Sequence, residues 1–311
     1  MNSFSISQLS QLSGIKPHTI RIWEQRYNAL KPNRSDGNTR YYDNSQLRRL
    51  LNIVSLMDQG YKISELCVLP DEKLYQLVSD IHNDSHSTGP SEYFISQLIS
   101  AGMSYDEAHF EKVFSHCQIR YGMKDTYIKV IYPTLLRMGL MWATGSYPPS
   151  QEHFNSNMIR LKLSPAIDSL PPPKSNFDAW FLFLPENEFH EISLLFSQYL
   201  IRLSGKRTIY LGGNLPFESI SDAIQNTEPA NLLFFLVHYN SPVETQKYLD
   251  NLSSLFPEKN IFISGNTKLI RQLKFEKGIK WLESVEDLDR ILKSDHSLLE
   301  GQIKNNNQID G

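Results

Sequence analysis

The chain has 311 residues, 40% of them hydrophobic, enough for two or three compact domains with real cores. No apolar stretch approaches the length of a membrane span and no signal peptide is visible. The two distant cysteines, Cys67 and Cys117, exclude a disulfide framework and lack metal-ligand spacing, so a soluble protein of the reducing cytoplasm is expected. The net charge of −3 is uneven: residues 1–70 hold nine Lys and Arg against five Asp and Glu, leaving −7 on the remainder, which places any anionic partner at the basic front end.

Taken in chain order, Ile6, Leu9 and Leu12 recur at helical spacing and Ser5 is suited to cap that helix. Gly14 supplies a tight turn, and Pro17 sits where a second helix tolerates a missing N–H. Ile20 and Trp23 point inward in that helix, which leaves His18, Thr19 and Arg21 outward near its N-terminus. That is the end of a recognition helix that enters a major groove. The polar segment 33–38 and the β-prone Thr39-Arg-Tyr-Tyr42 form a short hairpin, or wing. Its Arg34, Arg40, Tyr41 and Tyr42 suit phosphate oxygens.

Residue by residue, this stretch resembles the winged helix-turn-helix of the MerR family of transcription regulators. The matching elements are Ile6 to Leu12, Thr19-Ile-Arg-Ile-Trp-Glu-Gln-Arg-Tyr27 and Arg40-Tyr-Tyr42, continued by helices over 47–60 and 63–66. The resemblance covers about the first seventy residues and implies binding to double-stranded promoter DNA, with His18 or Thr19 and Arg21 at base edges and Arg34, Arg40 and Tyr41 on phosphates. Metal-sensing members need cysteines that are absent here.

A helical stretch over 71–81 runs into the polar segment 83–90, read with it as a linker over 71–90. Apolar stripes then predict helices over 91–101, 105–121, 124–143 and 150–163, a four-helix bundle spanning 91–170. The proline run at 171–173 breaks that pattern. Short apolar runs at 178–185, 208–211, 232–238, 260–264 and 280–282 alternate with helical segments at 190–203, 217–226, 242–255, 268–274 and 285–293. Continuously apolar strands alternating with helices predict a parallel sheet covered on both faces, an open doubly wound, flavodoxin-like domain over 175–293. The polar tail 294–311 is expected to be disordered. The fold class is thus multidomain: an all-α winged helix-turn-helix, a four-helix bundle, then the α/β sheet.

Open parallel sheets bind ligands outside the carboxyl ends of their strands. His190 falls in the loop after the first strand, two residues beyond Glu188, which is placed to accept from its distal ring nitrogen as in a metal-ligating histidine. From these residues alone, a helix-capping loop with an exposed histidine is the plainer reading. Two further patterns bear on it: Lys206-Arg-Thr-Ile-Tyr-Leu-Gly-Gly213 in the second strand, and Trp142 followed after nine residues by Glu152-His153, with Pro133, Gly139 and Gly145 around them. Together these resemble the CarA/CarH/LitR-type regulators, in which a MerR-like domain is fused to a helical cap and a cobalamin-binding domain. That resemblance extends from Phe4 to about Lys293.

It implies that His190 takes the lower face of the cobalt of cobalamin, with Glu188 behind it. Trp142 would lie over the upper face, where an adenosyl group is held, and Glu152 and His153 would bind that group's polar edge. Ser193, His238 to Ser241, and Ser264-Gly265-Asn266 would line the nucleotide tail. The chain departs from the pattern at three places: Ser193 replaces a glycine, Asn266 replaces the second glycine after the fourth strand, and Ala143 stands where light-sensing members have a cobalt-ligating histidine. The reading is therefore a non-enzymatic, cytoplasmic repressor, homodimeric or homotetrameric, sensing adenosylcobalamin or a related corrinoid. A regulator of the same build that lacks cobalamin and answers to a protein antagonist or another ligand stands beside it. A corrinoid methyl carrier or mutase subunit would have no use for a winged DNA reader.

Overall fold

Helix α1 (Ile6–Ser13) starts from a reciprocal cap: Ser5 Oγ accepts from the Gln8 N–H at 3.3 Å, and Gln8 Oε1 accepts from the Ser5 N–H at 2.6 Å. It stops at Gly14, whose φ of +72° is the left-handed turn a helix end favours. Helix α2 (Pro17–Tyr27) opens on Pro17 and closes at Asn28, also left-handed. Strands β1 (Asn33–Arg34) and β2 (Arg40–Tyr41) pair antiparallel, and Phe4 pairs with Tyr42 to fasten this wing to the chain entering α1. These coordinates are a computed structural model that describes residues 4–34, 38–58, 60–83, 91–143, 148–173, 178–237, 241–276 and 278–293. The expected tail and the tip of the wing at 35–37 lie outside them, as does the stretch 84–90 of the expected linker.

The chain divides into two compact units, Met1–Ile159 and Arg160–Gly311. In the first, α3 (Asn44–Asp58), α4 (Ile63–Leu66) and α5 (Asp71–Asn83) follow the wing. Arg49 on α3 donates to the carbonyls of Ala29 (2.8 Å), Cys67 (2.8 Å) and Leu69 (3.0 Å) and reaches Asp71 Oδ1 at 2.5 Å. One guanidinium thus satisfies orphan carbonyls after α2 and α4 and caps the arrangement at the start of α5.

Helix α6 (Ser91–Ser104) is buried on every side from Tyr93 to Met103, the mark of a central helix. It packs against α3, α7 (Glu107–Thr126) and α8 (Tyr132–Ala143). The continuous helix expected over 124–143 is interrupted. Gly122 leaves the helical region at φ 72°, and Tyr127–Ile131 form a π turn in which the Tyr132 N–H donates to the Tyr127 carbonyl. Pro133 has no N–H to give an α-helical partner, and the wider turn just before it absorbs that mismatch. Helix α9 (Pro149–Asp168) carries the chain into the second unit.

That unit is a five-stranded parallel sheet in the order β4-β3-β5-β6-β7. Its strands are β3 (Trp180–Pro185), β4 (Thr208–Leu215), β5 (Asn231–Leu236), β6 (Asn260–Gly265) and β7 (Ile279–Trp281). Between them run α10 (Glu191–Leu203), α11 (Phe217–Thr227), α12 (Pro242–Leu255) and the single turn α13 (Thr267–Ile270), and a last helix covers 285–293. All six residues of β3 are buried, as covering on both faces demands. Phe183 stacks on Phe234 and Trp180 on Phe262, with centroids 5.2 and 4.9 Å apart. The second strand runs four residues beyond the expected 208–211, because Gly212 (φ +78°) bends it without ending its pairing. The chain reverses direction across the sheet beside β3, so the loops after β3 and β5 meet at the ligand edge of a flavodoxin-like fold.

Candidate functional site

At the basic end, α2 turns Ile20 and Trp23 into the core and leaves His18 and Arg21 exposed, with Thr19 half-buried. Arg34 on β1 is exposed and donates to Asn38 Oδ1 at 2.5 Å, and Tyr41 on β2 is 36% exposed. His18 and Arg21 thus flank an exposed helix N-terminus, while Arg34, Arg40 and Tyr41 sit on the paired strands. Tyr42 is a correction. The wing pattern predicts that it faces phosphate with its neighbours, but it is fully buried and donates its hydroxyl to Glu24 Oε1. Burial, then this hydrogen bond to a carboxylate, pushes its pKa well above that of an ordinary tyrosine. Glu24 Oε2 lies 3.7 Å from Arg40 Nε, so one buried carboxylate braces both neighbours on the wing.

In the second unit, Glu188 is fully buried at the carboxyl edge. Its Oε1 accepts from the N–H groups of Phe189 (3.0 Å) and His190 (3.1 Å) and stands 2.5 Å from His190 Nδ1. Its Oε2 accepts from the Val237 N–H at 2.8 Å, which fastens the loop after β3 to the end of β5. The carboxylate fixes the imidazole tautomer with the lone pair on Nε2, on a ring that is half-exposed. Phe189 and Val237 beside it are exposed apolar groups. An oriented imidazole beside apolar surface is chemically suited to a flat ligand with a metal centre.

The remaining expected tail-lining residues have identifiable local duties. Ser193 gives its carbonyl to the Ser197 hydroxyl, and Ser241 caps α12 by accepting from the Glu244 N–H. Ser264 Oγ donates to the Leu282 carbonyl. Gly265 has φ +127°, and a Cβ there would stand 2.3 Å from the Leu236 carbonyl oxygen, so only glycine fits. Residues 238–240 lie outside the described residues, and so do the side chains of Trp142 and Ala143. On α9, His153 is 74% exposed with Nδ1 3.2 Å from Glu152 Oε2, and Glu152 Oε1 accepts from Ser156 Oγ. Among the described residues no group of three or more His, Cys, Asp or Glu is placed to hold a metal ion by itself, and no helix is long and apolar enough to cross a membrane.

Residues 4–68 match the MerR HTH family of regulatory proteins. Over 93% of its length the chain is 25% identical to the HTH-type transcriptional repressor CarH of Myxococcus xanthus, covering 98% of that protein. It is 22% identical over 91% of its length to the repressor CarA of the same organism, covering 94% of it. The chain therefore carries a MerR HTH domain at its N-terminus and resembles transcriptional repressors over nearly its whole length. Its sheet half has the fold of corrinoid proteins. The monomethylamine corrinoid protein of Methanosarcina barkeri superposes with a TM-score of 0.52 at 14% identity, covering 65% of this chain and 97% of that one.

Three features of the site have no counterpart in the local sequence patterns. Glu24 shares a helical face with buried Ile20, and a glutamate on an apolar face signals a buried partner. Glu191, next to His190, is held by Arg160 at 2.8 Å and the Tyr210 hydroxyl at 3.3 Å, and burial followed by Glu191 raises the Tyr210 pKa. Arg137 pairs with Glu92 across 45 residues, a separation at which sequence carries no signal.

Proposed function

We propose that this regulator represses transcription by binding a pseudo-palindromic promoter as a homodimer or homotetramer in the cytoplasm, and that its sheet half senses a cobalamin. The domains are then a DNA-binding head over 1–70, a linking segment over 71–90, a bundle cap over 91–170 and a cobalamin-binding domain over 175–293. His18, Thr19 and Arg21 reach base edges, while Arg34, Arg40 and Tyr41 hold phosphates.

The observation that carries the sensor reading is the Glu188–His190 pair: a fully buried carboxylate 2.5 Å from the Nδ1 of a half-exposed imidazole, at the ligand edge of an open sheet. A capping histidine needs no such partner, and the His190 side chain makes no cap bond to α10. Residues of this kind fit a corrinoid. His190 would hold the cobalt from below, Glu188 would orient it, and Ser193, Ser241, Ser264 and Gly265 would line the tail. Trp142, Glu152 and His153 of the cap would meet the upper ligand, adenosyl in adenosylcobalamin. When bound, the group would supply a cobalt centre with an exchangeable ligand, and that ligand is the signal the regulator would read. Its likeness in fold to a corrinoid protein of Methanosarcina barkeri supports this reading.

The test is absorbance of the full chain after incubation with adenosylcobalamin in the dark and desalting, with size-exclusion before and after light. A retained corrin spectrum that His190→Ala alters is the expected result. Loss of the corrin on desalting overturns the cofactor reading and leaves control to a protein antagonist or another small ligand. Ala143 has no donor atom for cobalt, so no spectrum of a second protein ligand is expected after light.

A further inference from the structure

The DNA-binding head and the bundle share one core in the first unit. On α3, seven consecutive residues from Leu50 to Leu56 are buried, and on α6 eleven from Tyr93 to Met103. A helix of a freestanding head shows one apolar stripe, and burial all round means it is covered from both sides. Two polar seams fix how the covering is registered. Gln97 of α6, 1% exposed, donates to Ser55 Oγ at 2.8 Å and Asn52 Oδ1 at 3.3 Å on α3, while its Oε1 faces His109 Nε2 of α7 at 3.0 Å. Arg137 of α8 forms a two-pronged pair with Glu92 of α6, one prong at 2.6 Å, and the nitrogen of the other prong also donates to the Leu12 carbonyl at the end of α1 at 3.3 Å. At Gly14, where α1 ends, a Cβ would lie 3.4 Å from Arg137 Nη2, so the turn itself sits against this pair. The head is thus held by α1 and α3. Helix α2 packs against α1 and α4, and His18, Arg21 and Arg34 remain exposed.

We infer that Arg137 is a positioning residue for DNA binding: through Glu92 and Leu12 it latches the head onto the bundle with its DNA-facing side outward, so the bundle rather than a tether aims the recognition helix. Aimed heads matter only when two of them meet two half-sites at once, since a pre-set geometry raises the effective concentration of the second head and leaves the contacts of each head unchanged. The inference rests on the paired-head reading above. It also gives that reading a route for control, because α8 carries both Arg137 and Trp142.

The experiment uses the full chain and duplexes selected by it from a random-sequence library, one set carrying two half-sites and one carrying a single half-site. Arg137→Gln is expected to lower two-site affinity about tenfold, leave single-site affinity unchanged, and speed amide exchange in α1 alone. Glu92→Gln, which keeps a neutral partner for Arg137, is expected to act in the same direction and more weakly, and it serves if Arg137→Gln does not fold. Equal losses on both duplexes, or unchanged α1 exchange, overturn the latch. A wild-type chain that binds one and two half-sites equally well defeats the paired-head reading instead, while exchange in α1 still reports on the latch.

Discussion

Tyr42, at the end of the wing, donates its hydroxyl to Glu24, in the middle of the second helix, inside a space closed to solvent. Glu24 also faces Arg40, so a buried residue of the second helix sets where a guanidinium of the wing stands. Tyr42→Phe removes one donor from a buried carboxylate, and Glu24→Gln removes the charge. Each is expected to cost the head about 1–3 kcal/mol of stability, read by urea unfolding. Because burial raises the Tyr42 pKa, the folded head keeps the proton that the unfolded chain releases. The contribution of Tyr42 is therefore complete below pH 10 and is lost as pH rises above it. Tyr42→Phe should lessen the alkaline decline, while buried Tyr93 and Cys117, whose pKa values burial also raises, keep the remainder.

Arg40→Ala is expected to abolish a promoter gel shift while the protein stays folded, and to lower the slope of log affinity against log salt by about one. Arg21→Ala should instead relax discrimination at one base position by about 1–3 kcal/mol. A wild-type salt slope in Arg40→Ala would take the wing out of phosphate binding.

Gly265→Ala is expected to destabilise the sheet half by about 2–5 kcal/mol, because φ +127° disfavours any Cβ and the added atom drives into the backbone of Leu236. Thermal unfolding checks this. A drop confined to ligand binding, with stability intact, would make the glycine a ligand-clearance residue instead.

His109 joins the Gln97 seam, and burial holds its pKa below the usual 6.5, helped by Lys112 and opposed by Asp106. The neutral ring is favoured in the fold, so the unfolded chain takes up more protons below pH 6.5. Stability should be level above that pH and fall as acidity increases below it, with His109→Gln flattening the fall. His116 is displaced the same way by burial and Lys112, so part of the slope should survive. An unchanged slope would remove His109 from the acid response.

Much of the site was legible from short spacings. The Glu188–His190 pair is two residues apart, the cap at Ser5 three, and the outward face of α2 follows from where Ile20 and Trp23 fall. The third anchor of Glu188 was not legible, since Val237 lies 49 residues on and meets it only because β3 and β5 are neighbours. Tyr42 was misplaced for a related reason. A two-residue strand has no alternation long enough to say which tyrosine turns inward, and the bridge from Phe4 to Tyr42 decides it. The interruption before Pro133 carried a local cause, but its form as a π turn depends on the helices packed around it.

The kinds of element and their order were already present in the sequence, because helical and strand periodicities, caps and turn residues act over a few positions. Packing sets which buried carboxylate holds which donor, brings α3 and α6 through a common core, and lets Arg137 reach Leu12. Those outcomes depend on which apolar faces meet, and many pairings of faces satisfy the same local pattern until the packed chain selects one.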